Sequence, residues 1–517
     1  MKKIKASKFI LLLESILILI NNNVTAQNIA TNTTSKATTS QTFQPHIIDV
    51  QSMEEELALI QNKLITIHPE PFHYISGELF KEKINQLKSN LKPMTLEQWY
   101  VKLAGIISLL HDGHTKLYYN DKETGRYFKE GGKTFPFFVS VNENKQATVE
   151  GNWTNDAELD SAELIEINGR KLEHILTLMH ELTFGELENY RINQVNTYFS
   201  RMHYFLFGHC DSVSLVIKVK NSFVKTKQYA CLNGLNESQW NEMVKYYNLY
   251  TSQKEREHHI KLTTQNNRTV GLLSLKDFSI YNGYKDTIAK IFKSIKEKEI
   301  DTLFIDVRNN GGGEHNITEE INHYILKTPW VLVSKAQLKM SDEFYQNFPK
   351  WIRWFVKLLP KKPAIKLAAL IMTKNTRIKK IVKLKDPETK ASVYEIYTKP
   401  KLHYSKKYFY SGKVFLLTNR RSYSMSGMFA AILQDYNRAV LVGEETGGLA
   451  NPHGGITGSV TLPHSNFRMS ISTSRAYRPS GKFDDHGVIP EIIVPYNQLK
   501  VANSIDELVR LIDKKNN

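Results

Sequence analysis

Apolar residues recur at helical spacing through much of residues 49–110, as in MEEELALIQNKLITIH and TLEQWYVKLAGIISLL, and predict helices there. The pattern changes over 130–225. FPFFVSV, ATVEGNW and SVSLVIKVK alternate with a period of two and predict strands. Between them, DSAELIEINGRKLEHILTLM reads as a strand, an Asn-Gly turn and a helix. From 268 to 500, short apolar runs (TVGLLSL, DTLFIDVR, KVFLLTN, AVLVGEE) alternate with helical stretches (YKDTIAKIFKSIKEK, MSGMFAAILQDY). That order predicts a layered α/β core. The chain shows no internal repeat.

The first residues follow neither pattern. A basic start, MKKIKASK, precedes the 12-residue apolar run FILLLESILILI, and Val24 and Ala26 then place small residues before a cut after Ala26. This predicts a cleaved secretory signal over 1–26. The run is shorter than the ~20 residues a membrane-spanning helix needs. No Cys follows it, which disfavours a lipid anchor. Residues 27–45 are rich in Thr, Ser and Asn and predict a flexible linker.

With 517 residues the chain is long enough for two or three domains. At 41% hydrophobic and 23% charged residues it reads as globular, not disordered. The net charge of +17 favours acidic surfaces such as anionic membranes, cell-wall polymers or acidic peptides. Zinc-finger spacing and RNA-binding motifs are missing, so nucleic acid is not an expected partner. Residues 350–385 hold twelve basic residues and no acidic one, interleaved with Trp351, Trp354 and Phe355. They suit a lid packed on the core, or a basic amphipathic element resting on an anionic membrane or cell wall. Cys210 and Cys231 are the two cysteines, a pair that export would allow to join but too few for a disulfide scaffold.

Four short segments carry candidate chemistry. RRSYSMSGMFAAIL, residues 420–433, places Ser422, Ser424 and Ser426 in a turn between a strand and a helix. A hydroxyl there sits at the positive helix end, where a developing anion is favoured, though turn and cap serines are common. DVRNNGGG, residues 306–313, follows a buried-looking strand and exposes backbone N–H groups of the kind that build an oxyanion hole. It lacks the Lys-Ser/Thr of a phosphate loop and the spacing of a dinucleotide fingerprint. DGHT, residues 112–115, offers a His beyond a helix, and FDDHGVIPE, residues 483–491, offers two carboxylates and His486.

In this order, together with LIEINGR, VGLLSL, LLTNRRSYSMSG and VLVGEETGG, these segments resemble the superfamily of C-terminal processing peptidases and tricorn-type serine peptidases over roughly residues 50–495. The resemblance implies an α/β fold: a crotonase/ClpP-like layered catalytic core at 265–500, with an insertion at 345–386. Before it come an N-terminal helical region at 46–128, carrying DGHT, and a PDZ-like β-rich domain at 129–228. A tail helix at 501–517 closes the chain. It implies peptide or unfolded-protein substrates, no cofactor and no metal. It picks Ser424 as nucleophile, with oxyanion donors from the N–H groups of Met425 and Gly312. One branch uses a Lys 25 residues after the serine; here that position is Leu449. The tricorn-like branch instead implies His114 as general base and a carboxylate at Asp484, with Asp485 as the alternative. That branch also has a Ser just before the His, where this chain has Gly113. A catalytically silent peptide-binding protein on the same fold is the second reading.

Overall fold

The computed structural model describes residues 43–516 apart from short internal stretches, the longest being 360–377. The signal and nearly all of the linker predicted over 1–45 lie outside the described residues, as does most of the basic insertion.

At the centre of the C-terminal half is a six-stranded sheet. Its order is Ile260–Thr264, Val270–Leu275, Thr302–Asp306, Lys413–Thr418, Val440–Gly443 and Ile492–Ile493. The first strand runs antiparallel to the second, and every other pair is parallel. The inner strands are near-continuous apolar runs because both faces are covered. Helices Tyr284–Glu297, His315–Ile325 and Met425–Asp435 share one apolar cluster with the sheet. Leu272, Phe304, Leu417 and Val442 on the sheet pack with Ile505 and Leu508 of the terminal helix Ile505–Asn516 in another. Helices on both faces of a mostly parallel sheet are the layered arrangement the strand–helix alternation predicts.

The N-terminal helices form where the periodicity places them, at Val50–Ile67, Gly77–Ser89 and Leu96–Ser108. Thr95 and Gln98 close the last of these with a reciprocal capping box. Strands Phe137–Val141, Ala147–Asn152, Glu163–Ile167, Ser212–Lys218 and Lys227–Asn233 form an antiparallel sheet in that order. Packed on its edge is the 20-residue helix Glu188–Phe207, which the alternation pattern does not predict. Asn196 of this helix accepts from the Val141 N–H (2.7 Å), and Ser200 donates to the Phe137 carbonyl (3.2 Å). Edge groups of the first strand are therefore already used by the helix.

Residues 378–385 depart from the lid or amphipathic element expected for the insertion. Ile378–Lys385 is a strand, paired with Ser392–Thr398 in a four-stranded sheet that also holds Lys335–Leu338 and Ser474–Tyr477. Among the described residues no helix is long and apolar enough to cross a membrane.

One small sheet joins the two halves of the chain. Strand Lys116–Tyr118 pairs with Arg468–Ser472, which pairs in turn with Thr457–Thr461. It ties the DGHT segment directly to the C-terminal half.

Candidate active site

Thr302–Asp306 and Lys413–Thr418 are neighbouring parallel strands, with Asp306 opposite Leu417. The loops leaving their C-terminal ends therefore emerge side by side, where open α/β sheets bind their ligands. One is the glycine run and the other carries the serines. Tyr423 N–H donates to the Asn310 carbonyl (3.0 Å), Asn309 N–H to Asn419 Oδ1 (3.0 Å), and Ser422 Oγ to the Val307 carbonyl (2.8 Å). Ser422 is thereby consumed in holding the loops together, and Ser426 is buried.

Ser424 differs from both. Its backbone lies at φ 55°, ψ −118°, a conformation that costs an L-residue on the order of 1–3 kcal/mol and persists only where its surroundings impose it. Two glycines press on it. A Cβ on Gly312 would lie 2.8 Å from Ser424 Cβ, and one on Gly448 would lie 2.8 Å from Ser424 N. Ser424 occupies the N-cap of Met425–Asp435, yet its side chain makes no capping bond. Its Oγ lies instead 3.0 Å from His114 Nε2.

His114 is held by its own segment. Its N–H donates to Asp112 Oδ1 (2.8 Å), and its carbonyl accepts from Ser470 Oγ (2.8 Å). Asp112 is buried and also receives Thr115 Oγ1 (2.6 Å), Ser472 Oγ (2.6 Å) and His68 Nε2 (3.0 Å). Burial would raise this carboxyl, but the His68 bond and the surrounding imidazoles hold it well below its ordinary value. A Cβ on Gly454 would meet the His114 ring at 2.6 Å, so a glycine is needed there. Burial, with help from Lys116 and against the pull of Asp112, lowers His114 to about 4. The imidazole is neutral at pH 7, as a proton acceptor must be.

The far side of the ring meets residues that no motif singled out. Tyr423 Oη lies 3.3 Å from His114 Nδ1, and the two rings stack at 5.1 Å. Glu186 Oε2 lies 3.5 Å from the same Oη. Tyr190 stacks on Tyr423 at 4.1 Å, with 6° between the planes. Burial, then the charge of Asp112, raises Glu186 to about 8. Asp112, His114 and Glu186 offer donor atoms within 4.8 Å of one another, a grouping of the size a metal ion could bridge. Both Asp112 oxygens already accept from protein donors, so the set is organised for hydrogen bonding.

The remaining expected residues are placed differently. Met425 begins the helix behind Ser424, and a Cβ on Gly312 would lie 2.9 Å from Met425 N, so the two backbones adjoin beside the hydroxyl. The Gly312 N–H itself donates to Asn310 Oδ1 (2.8 Å), which corrects its expected role as a free oxyanion donor in this conformation. Asp484 is not brought to His114. It faces Lys482 (3.2 Å), His486 (3.7 Å) and Arg478 (3.8 Å). Asp485 pairs with His73 and Arg475, both at 3.2 Å. The carboxylate nearest His114 Nδ1 is Asp112 Oδ1, at 4.0 Å. Leu449 is buried. Cys210 and Cys231 are not joined.

A hydroxyl aligned on a neutral imidazole, at a helix N-terminus beside a glycine run, is the arrangement that nucleophilic acyl transfer by a serine requires. Residues 269–494 match Peptidase family S41. The fold is similar to that of mature CPAF complexed with lactacystin, at 15% identity and a TM-score of 0.59 over 90% of this chain and 98% of that one. Mature CPAF alone gives the same identity and TM-score over 90% and 99%. The photosystem II D1 C-terminal processing protease matches at 13% identity and a TM-score of 0.41, over 89% and 96%.

Proposed function

We propose that this is an exported serine peptidase that cleaves peptide bonds through an acyl-enzyme, with Ser424 as nucleophile and His114 as general base. The observation that carries the reading is the 3.0 Å approach of His114 Nε2 to Ser424 Oγ, made by a serine whose backbone is held at positive φ. Nε2 takes the hydroxyl proton as Oγ attacks the carbonyl carbon, then returns it to the leaving amine. The Met425 N–H, free of an intrahelical partner in the first turn, faces the developing oxyanion. A donor from the glycine run joins it once Asn310 releases the Gly312 N–H. We read the core as crotonase/ClpP-like and residues 129–228 as the PDZ-like unit. Its role is structural: Asn196 and Ser200 occupy the strand edge on which a peptide would add. The leader over 1–26 supports export to the periplasm or the medium, and the basic residues of 350–385 support peripheral contact with an anionic envelope surface.

The test uses the chain from Gln27, as wild type and as Ser424→Ala, incubated with a mixed peptide library and an unfolded protein, with products read by mass spectrometry. Cleavage by wild type alone is expected. Cleavage by both sinks Ser424 as nucleophile. Cleavage by neither favours the second reading, a silent peptide-binding protein, which the engaged Gly312 N–H supports.

A further inference from the structure

The Nδ1 side of His114 poses a question that the Ser–His pair leaves open. A neutral imidazole accepts the Ser424 proton only if its own proton sits on Nδ1, and an acceptor must hold it there. No carboxylate does so directly. Asp112 Oδ1 stands 4.0 Å from Nδ1 and already accepts the His114 backbone N–H. The atom nearest to hand is the Tyr423 hydroxyl, with Glu186 beyond it. A second observation explains how a tyrosine reaches this place. A Cβ on Gly113 would fall within the Tyr423 hydroxyl, and 2.8 Å from the ring carbon that bears it. The absent side chain at 113 is the space the hydroxyl fills.

We propose that Tyr423 and Glu186 are positioning residues that set the tautomer of His114, the tyrosine hydroxyl standing where a side chain at position 113 would otherwise lie. The inference rests on the reading of His114 as general base. With Glu186 ionised, Tyr423 O–H donates to Glu186 Oε2, and the tyrosine oxygen accepts from His114 Nδ1–H. Nε2 then presents its lone pair to Ser424. With Glu186 protonated, its O–H donates to the tyrosine oxygen, and the tyrosine proton turns toward Nδ1. The imidazole proton then lies on Nε2 and the base is blocked. The distances of 3.3 and 3.5 Å are those of a relay at rest, which tightens when substrate fills the site.

The surroundings of Glu186 suit this role. Burial and Asp112 raise its carboxyl to about 8, against the pull of Lys116. Lys116 is itself raised and stays charged through neutral pH. Tyr74, Tyr190 and Tyr423 also face Glu186, and all three are raised and stay neutral. His114 has finished titrating near 4. Glu186 is the group in this cluster that changes charge as pH passes through 8.

The experiment compares kcat and KM from pH 6 to 9.5 for wild type, Tyr423→Phe and Glu186→Gln, on a peptide cleaved by the wild-type chain. Wild-type kcat is expected to rise through pH 8. Tyr423→Phe keeps the ring stack and removes the relay, so kcat falls roughly 100-fold with KM within about twofold, and the rise disappears. Glu186→Gln keeps the shape but cannot ionise, so its profile is flat between pH 7 and 9. Thermal melts within a few degrees of wild type separate these effects from misfolding. A Tyr423→Phe enzyme with wild-type kcat, or a Glu186→Gln enzyme that keeps the rise, overturns the proposal. Ser424→Ala, run alongside, keeps the two claims apart. If it is active, the assignment of Ser424 as nucleophile, on which the relay rests, has failed. If it is inactive while the other variants behave as wild type, only the relay has failed.

Discussion

The two edges of the His114 ring are built from different parts of the chain. Nε2 faces the serine loop, a turn between the strand Lys413–Thr418 and the helix Met425–Asp435. What shapes that loop lies within the core: the neighbouring strand Thr302–Asp306, the glycine run after it, and Gly448 beyond the strand Val440–Gly443. Nδ1 faces a wall assembled from distant segments. Asp112 comes from the turn after an N-terminal helix, and Glu186 and Tyr190 from the entry to the helix Glu188–Phe207. Tyr423 alone belongs to both sides. The Ser424 side is built within the core, whereas the other side exists only once the N-terminal and β-rich regions dock on it. Tyr190 stacking on Tyr423 and the Arg421–Asn193 bond are part of that docking.

The contrast is broken most directly at the ring itself. His114→Ala removes both edges at once, and kcat is expected to fall roughly 10²- to 10⁴-fold. The fall should be nearly independent of pH, because the group that titrates is felt only through the imidazole. Steady-state kinetics at pH 6, 7.5 and 9 check this.

The second prediction concerns the wall. Asp112 is a buried carboxylate accepting from His68, Thr115, Ser472 and the His114 backbone. Asp112→Asn leaves part of this donor set unmatched and is expected to lower stability by about 3 kcal/mol. Urea denaturation measures it. The pH dependence has a definite sign. The folded carboxyl titrates well below its ordinary 3.8, so its contribution is fully present above about pH 4 and is lost as pH falls through the depressed folded value. The gap between wild type and variant should therefore close on acidification.

The third prediction sharpens the geometry where the two edges meet. Gly113→Ser forces a Cβ into the Tyr423 hydroxyl. Overpacking of this kind costs about 1–3 kcal/mol, and it displaces the ring that stands between Nδ1 and Glu186. A melt and a kcat measurement should both fall, kcat by more than the small stability loss explains. A variant with full activity would show that Tyr423 can move aside without consequence.

The same contrast explains what could be read before the fold was known. TVGLLSL, DTLFIDVR and KVFLLTN are apolar enough to mark buried parallel strands, and glycine or serine directly after them marks the loops. The Ser424 side is therefore legible from residues close in sequence. Gly113 is legible only as a gap, because nothing local indicates that a tyrosine 310 positions later fills it. Glu186 stands in TFGELENY with no motif around it. The helix that follows is rich in Asn, Tyr and Phe, poor helix formers in isolation. It has a kink at Tyr198 and is held by packing against Phe137–Val141, so its periodicity does not announce it. IKKIVKLK breaks the alternation at Lys379–Lys380, where its ladder also shifts register, so its period does not announce the strand.

The smallest expected effect separates motif from geometry most cleanly. The family resemblance implies that Asp484, in the closing motif, is the orienting carboxylate, yet its neighbours are Lys482, His486 and Arg478, and it makes no hydrogen bond or ion pair with His114. A carboxylate orients an imidazole only through contact or through one intervening group, and here the intervening hydroxyl belongs to Tyr423 and leads to Glu186. Asp484→Asn is therefore expected to change kcat by no more than about twofold, the scale of a lost, partly solvated ion pair. Its effect should be the same at pH 7 and pH 9, since it leaves the relay untouched. If instead Asp484→Asn matched Tyr423→Phe in both size and pH dependence, the segment carrying Asp484 would have to swing toward His114 during turnover. The Ser424 side, built within the core, would then be the only part of the site already assembled at rest.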